Sequence, residues 1–298
     1  LRAALGEYAG VGPEHVVAGA GSDELIDLLL RAVIEPGDGV IVCPPTFGMY
    51  GFLTRVAGGR PIEAPRRDDF SLDVGAVEAA ASAAKMVFLA SPNNPTGNLL
   101  SRDELDALLG TELLVVVDEA YVEFAGESFA ALVPARENLV MLRTFSKWAA
   151  LAGLRAGYGI MAPALADALM QIKQPYTPNA AAEVAMLASL EDRTALMENV
   201  RALVRERERM AKALAALEFV EVYPSDANFV LARLKPGLRE DPDMDGAVVR
   251  EELARRGVFV RYFDTPGLRD CLRISAGRPE DTDRLVEALR ELGGRRAG

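Results

Sequence analysis

Histidine is almost absent from this chain: His15 is the only one in 298 residues. A Ser-His-Asp or Cys-His device, or a metal site built on several imidazoles, has at most one imidazole to draw on. His15 itself stands in VGPEHVVAG just ahead of a predicted strand, where a turn or surface role is the plain reading. Cysteine is nearly as scarce. Cys43 and Cys271 are far apart and form no CxxC, so neither a zinc site nor a dithiol redox motif is expected, and the usage fits a reducing cytoplasm. No metal is expected, and proton transfer falls to lysine, tyrosine or carboxylates.

Positive charge is also in short supply. With 33 Lys and Arg against 44 Asp and Glu the formal charge is −11, and no basic tract offsets it, which speaks against a nucleic-acid partner. No apolar run has the length of a membrane span; the longest candidate, Leu25 to Ile34, is interrupted by Asp27 and Arg31, so no membrane partner is expected. No signal-peptide pattern opens the chain, although it starts at Leu1 and not at Met, so its first residues do not settle what precedes them.

What is present is a regular alternation. Short β-branched runs at Val16–Ala18, Val40–Cys43, Met86–Ala90, Leu113–Val117, Leu139–Leu142 and Gly157–Ile160 are separated by helical patterns, among them Asp23–Ile34 and Ser101–Leu109. Ser101 with Glu104 three residues on makes a capping box. This predicts an α/β large domain with a mainly parallel sheet covered by helices. After Pro178 the texture changes. Long helices are predicted over Ala180–Leu190 and Thr194–Leu217, the second with Arg and Glu on a solvated face. Strands follow near Phe219–Tyr223, Asn228–Ala232, Val258–Arg261 and Cys271–Ser275, with helices near Asp245–Arg256 and Pro279–Leu292 and an exposed loop over Lys235–Met244. The reading is a large domain over residues 1–185 and a smaller α+β domain over 186–298.

In open α/β sheets the ligand lies beyond the carboxyl ends of the strands, so the residues just after each apolar run are the informative ones. The first such turn, GAGSDEL, can offer Gly21, Ser22 and Asp23 to an anion at a helix N-terminus, or Ser22 or Asp23 can simply be the N-cap. CPPTFGMY offers Phe47 as a face for a flat ring, or for ordinary packing. SPNNPTG carries Asn94, able to donate to a phenolate-type oxygen, or is turn chemistry. DEAYVEF ends a very apolar strand in Asp118, whose burial is costly unless a protonated nitrogen or a neighbouring Arg pairs with it; Tyr121 shares that site. Finally, Lys147 has Thr144 and Ser146 before it and Arg155 eight residues after, a dense set of phosphate ligands around one amine.

These strings, GSDELIDLLL, CPPTFGMY, SPNNPTGN, VVVDEAYVEF, RTFSKWAALAGLRAGYG, IKQPY and CLRISAG, resemble the histidinol-phosphate aminotransferases in order and spacing over nearly the whole chain. That family is a branch of the class II, fold-type I pyridoxal-phosphate enzymes. The resemblance implies pyridoxal 5′-phosphate as cofactor, Lys147 as its Schiff-base lysine and proton carrier, and Asp118 as partner of the pyridine nitrogen. It further implies Tyr121 and Asn94 at the ring's phenolic oxygen, Phe47 stacked on the ring, and Gly21, Ser22, Asp23, Thr144, Ser146 and Arg155 on the phosphate side. Arg273 of CLRISAG, with Arg261, would take the acidic end of the substrate. The implied substrates are small molecules, a phosphorylated amino alcohol or amino acid with 2-oxoglutarate or glutamate, and the implied assembly is a homodimer. Phe47 departs from the family, where a tyrosine is frequent. So does the start: family members carry an arm before the stretch matching Leu1, with a tyrosine that reaches the partner's cofactor, and a form without it is expected to bind cofactor poorly. Aromatic amino-acid aminotransferases and phosphothreonine decarboxylases share most of these motifs, and an inactive cofactor-binding fragment is a third reading. A nucleotide-binding dehydrogenase is a poor fit, because GxGxxG is absent.

Overall fold

A computed structural model of the chain describes residues 1–235 and 246–294. Most of the predicted loop Lys235–Met244, and Asp245 at the start of its predicted helix, lie outside the described residues. The chain divides into two compact units, Leu1–Asn94 with Leu99–Met197, and Pro95–Asn98 with the chain from Glu198 onward.

The first unit is built on seven strands: β1 (Val16–Gly19), β2 (Gly39–Val42), β3 (Arg60–Glu63), β4 (Met86–Ala90), β5 (Leu114–Asp118), β6 (Leu139–Thr144) and β7 (Gly157–Ile160). They lie in the order β1-β7-β6-β5-β4-β2-β3, and every pairing from β6 through to β3 is parallel. β7 runs antiparallel to both its neighbours, which returns β1 to the direction of the central strands. The inner strands are apolar at nearly every position and buried on both faces, as parallel strands between helical layers must be. β3 is the strand the sequence hides. Its RPIE is half-exposed at the sheet edge, where proline is tolerated and no apolar run is required.

Helices α1 (Arg2–Ala9), α2 (Ser22–Val33), α3 (Met49–Val56), α4 (Val74–Ala81), α5 (Arg102–Leu109), α6 (Val122–Ala125), α7 (Pro163–Ile172) and α8 (Ala180–Glu191) accompany this sheet. α2 shows why. Leu25, Ile26, Leu28, Leu29 and Leu30 are buried, each such side chain contributing about 1.5–3 kcal/mol, while Asp27 and Arg31 pair at 2.8 Å one turn apart on the other face. The charges that break the apolar run are the solvent face of a core helix. The capping box at Ser101 is formed in both directions and starts α5. α8 packs on α1, so it belongs to the first unit and the division falls at Met197, later than the reading after residue 185. No helix among the described residues is long and apolar enough to cross a membrane.

His15 is not a surface residue. It is 9 % exposed, its Nδ1 donates to the Met161 carbonyl at 2.8 Å and its own carbonyl accepts from Met161 N, joining the start of β1 to the end of β7. The sole imidazole is thereby consumed in structure.

The second unit holds an antiparallel sheet in the order β10-β11-β9-β8, formed by β8 (Val220–Val222), β9 (Phe229–Leu234), β10 (Arg261–Tyr262) and β11 (Cys271–Ser275). Its core joins residues of these strands to α9 (Arg193–Ala215), α10 (Gly246–Arg255) and α11 (Pro279–Gly294). Pro95–Asn98 joins this unit through Asp226 N, which donates to the Gly97 carbonyl at 2.8 Å. Two differences from the sequence reading have plain causes. Of the predicted strand Val258–Arg261 only Arg261 pairs, because β10 is a two-residue edge. On α9 the charges are not all solvated: Glu206 accepts from Thr282 and Arg209, and the guanidinium of buried Arg207 donates to the Ala227 carbonyl at 2.9 Å.

Candidate active site

The parallel register brings the carboxyl ends of the strands level. Ala90 of β4 stands beside Asp118 of β5, Asp118 beside Leu142 of β6, and Thr144 beside Gly157, which in turn pairs with Gly19. Along this edge opens a solvent-open pocket spanning about 680 Å³, open solvent included, lined by Ser22, Asp23, Phe47, Asn94, Asp118, Tyr121, Thr144, Ser146, Lys147 and Arg155. Ten side chains singled out from the sequence thus meet in one cavity, together with Tyr50, Ala90, Pro92, Ala120 and Ala152, which were not.

Lys147 is aimed by its neighbours. In TFSKW the two aromatics are buried, Phe145 against Trp148 at 5.2 Å and Trp148 stacked on Tyr8 at 5.7 Å, while Ser146 and Lys147 are left to face the pocket. The ammonium lies 5.3 Å from the centre of the Tyr121 ring, within cation–π range. Thr144 Oγ1 lies 2.8 Å from Ser146 Oγ and accepts from Ser146 N, which holds the serine hydroxyl at the rim.

The turn ahead of α2 is set by backbone. Gly21 has φ +81° and is itself the N-cap of α2, with no side-chain cap, so neither Ser22 nor Asp23 caps the helix and its first turn is left for a ligand. The turn is packed tightly: a Cβ on Gly157 would lie 2.7 Å from Ser22 N, and one on Gly21 2.8 Å from Arg155 Nη2. Gly21 thus lies against the guanidinium and does not itself line the cavity. Arg155 is held in the left-handed region at φ 54°, a conformation that costs a non-glycine residue about 1–3 kcal/mol, and pairs with Asp23 at 2.8 Å. In this way the strained backbone presents its guanidinium beside the helix N-terminus.

Asp118 is 4 % exposed. No arginine pairs with it: Tyr50 donates to Oδ2 at 2.8 Å and Ala120 N to Oδ1 at 3.0 Å. Burial pushes its pKa up to about 6 against the pull of these two donors. The nearby arginine, Arg143, pairs with Glu119 at 2.8 Å, both buried, and donates to Ser128 and Tyr158. Tyr50 carries a signal that sequence reading could have used, since it follows Phe47 by three residues at a helix start and so falls on the same face. Glu119 and Arg143 carry none, because their pairing across β5 and β6 exists only in the folded sheet.

Behind Tyr121, Glu123 accepts from Tyr8 at 3.2 Å, and its Oε2 is buried without a partner. Burial pushes its pKa up to about 7, the Glu119 charge adding to this and Arg143 opposing it. Its folded pKa is raised, so the folded state holds a proton that the unfolded state releases, and stability falls as pH rises between about 4.5 and 7. Glu123→Gln should therefore gain on the wild type across that window, by at most about 3 kcal/mol at pH 8. Urea unfolding of the cofactor-free proteins at pH 5 and 8 reads this directly, and a pH-independent difference would contradict it.

Arg261 and Arg273 belong to the second unit, where they are directly opposed across β10 and β11. Arg273 lies over Phe229 at 5.0 Å and Phe263 at 5.8 Å, and Arg261 over Phe263 at 5.3 Å. Like charges directly opposed disfavour a sheet, and an anion between them relieves the cost.

Comparison with known proteins agrees with this geometry. The family model for aminotransferase class I and II matches residues 1–289. The histidinol-phosphate aminotransferase of Roseiflexus castenholzii is 51% identical over 294 residues, covering 98% of this chain and 78% of that protein. The crystal structure of histidinol-phosphate aminotransferase from Sinorhizobium meliloti in complex with pyridoxal-5′-phosphate superposes with a TM-score of 0.88 at 27% identity, covering 98% of this chain and 80% of that one. L-threonine-O-3-phosphate decarboxylase from Porphyromonas gingivalis superposes at 0.85 with 26% identity, covering 99% and 88%. With its strand-end lysine, buried aspartate and Arg155 in one cavity, and a family model spanning nearly its full length, the chain belongs to the class I and II aminotransferases.

Proposed function

We propose that this protein is a histidinol-phosphate aminotransferase of histidine biosynthesis, moving an amino group between histidinol phosphate and 2-oxoglutarate with pyridoxal 5′-phosphate as cofactor. The observation that carries the proposal is the meeting, in one pocket, of an amine on Lys147, a buried carboxylate on Asp118, and the uncapped start of α2 at Ser22 with the Arg155 guanidinium. The cofactor fits these residues. A helix start without a side-chain cap, beside the Arg155 guanidinium, suits a phosphate, and a carboxylate buried at 4 % exposure suits a protonated ring nitrogen. When bound, the cofactor supplies an electron sink for the carbon that loses a proton.

The protein's own groups do the rest. Ser22, Ser146, Thr144, Asp23 and Arg155 lie on the phosphate side, the arginine with the fork that suits an oxyanion and Asp23 holding that fork in place. Phe47 offers a ring face, and Asn94 and Tyr121 offer polar groups to the phenolic oxygen. Asp118 would pair its carboxylate with the ring nitrogen. Lys147 would hold the cofactor through its amine, and that amine would accept a proton at the substrate carbon and return it elsewhere. Arg261 and Arg273 take the substrate's phosphate, and lysine would be a poorer choice because it lacks the planar fork. The proposal extends to a cytoplasmic homodimer, as the family resemblance implies.

The test is a steady-state comparison of histidinol phosphate, phenylalanine and phosphothreonine as substrates with 2-oxoglutarate. Highest kcat/KM for histidinol phosphate is expected, and decarboxylation of phosphothreonine or preference for phenylalanine would assign the protein to another branch. In the same assay Arg273→Lys should raise KM for histidinol phosphate by about one to two orders of magnitude, the loss expected for a charged hydrogen bond. Cofactor affinity should not change. An unaltered KM would mean that the phosphate is read elsewhere.

A further inference from the structure

One fully buried titratable side chain of the pocket has no part in the chemistry above: Tyr50, at 0 % exposure. We infer that Tyr50 is a positioning residue for the reaction, its hydroxyl clamping Asp118 Oδ2 while its ring braces Phe47, so that one side chain aligns both the carboxylate and the ring-stacking face. This rests on the reading of Asp118 as the partner of the cofactor's ring nitrogen.

A carboxylate held at one oxygen still swings about its Cβ–Cγ bond, and one held at both does not. Asp118 is held at both, by Ala120 N in the loop after β5 and by Tyr50 from α3. Each oxygen keeps a lone pair for a further partner. Tyr50 is itself immobilised: its ring is stacked on Phe88 with centroids 5.0 Å apart and planes 7° from parallel, and Phe47 meets it edge-on at 5.4 Å. The hydroxyl stays a donor at any working pH, because burial and the charge of Asp118 both hold its pKa well above that of an ordinary phenol.

The groups bearing on this pair come from several elements. Asp23 on α2 disfavours the ionised form of Asp118 and Lys147 after β6 favours it, while Tyr121 and Arg66 bear on the Tyr50 hydroxyl with opposite effects. Burial is the largest influence on Asp118, and the Tyr50 hydrogen bond is the first of those that counter it. Without that donor the carboxyl is harder to ionise and free to turn.

The experiment uses the cofactor-free protein, in which the carboxylate band missing from Asp118→Asn identifies Asp118 in infrared difference spectra. In Tyr50→Phe, which keeps the ring, the Asp118 midpoint should rise by about one pH unit or more, a tenfold change in acid dissociation. A ring-fluorinated tyrosine at the same place, a stronger donor of nearly the same shape, should move it down. Circular dichroism establishes that each variant is folded. Pyridoxal phosphate affinity, measured on the same proteins, should fall in Tyr50→Phe and fall further in Asp118→Asn. An Asp118 midpoint that ignores both Tyr50 replacements overturns the inference whatever the cofactor does. A midpoint that moves while Asp118→Asn binds cofactor like the wild type overturns the reading of Asp118, and with it the place of Tyr50 in the reaction.

Discussion

Lys147→Ala should leave the protein folded and able to take up pyridoxal phosphate without covalent attachment, with turnover reduced by about two to four orders of magnitude, the usual contribution of a positioned general base. The loop that carries Lys147 is anchored by Phe145 and Trp148, not by the amine, which lies over the Tyr121 face at 5.3 Å. An exposed cation–π contact is worth about 0.5–1 kcal/mol, so the fold should lose little. The chemistry should lose a great deal, because among the pocket's side chains Lys147 is the amine. With His15 buried and bonded to Met161, no imidazole stands in for it. Borohydride reduction and peptide mapping of the wild type should place the pyridoxyl group on Lys147, and Lys147→Ala should carry none. A label on Lys173 or Lys212 would remove Lys147 from the mechanism.

Asp118→Asn is expected to keep the fold and to slow proton abstraction by roughly 10²- to 4 × 10³-fold. The amide matches the carboxylate in shape, but its oxygen accepts from Ala120 N while its NH2 can only donate to the Tyr50 hydroxyl, so the charge-assisted bond from Tyr50 is lost. Against that, the cost of a carboxylate buried at 4 % exposure disappears, and the two effects oppose each other in the stability of the cofactor-free protein. In the loaded enzyme nothing compensates. Breaking a buried ion pair by removing one partner costs about 3–5 kcal/mol, which at 1.4 kcal/mol per tenfold gives the stated slowing. Single-turnover rates with histidinol phosphate measure it, and rates near the wild type's would show that the carboxylate serves another purpose.

Particular residues show how much could be read before folding. Periodicity determined the inner sheet, because β4, β5 and β6 are buried on both faces and must be apolar throughout. It also determined α2 and α5, whose apolar stripe and capping box are local chemistry. The polar residues that follow those strands could be named from sequence because the chain direction alone puts them at the carboxyl edge. Edge and partner relations were not legible. β3 has no stripe to show, and the antiparallel turn of β7 between β1 and β6 is a choice of topology that no local pattern records. The same holds within the site. Sequence placed a carboxylate at Asp118 and demanded a partner for it, but an arginine 25 residues on in the next strand was as eligible as a phenol 68 residues before it. Packing decided between them: register gave Arg143 to Glu119, and the stacking of Tyr50 on Phe88 left its hydroxyl for Asp118. Residue types and their order specify which groups can react, since that is local chemistry. Which buried charge meets which donor depends on distances set by the whole sheet, and only the tertiary structure determines those.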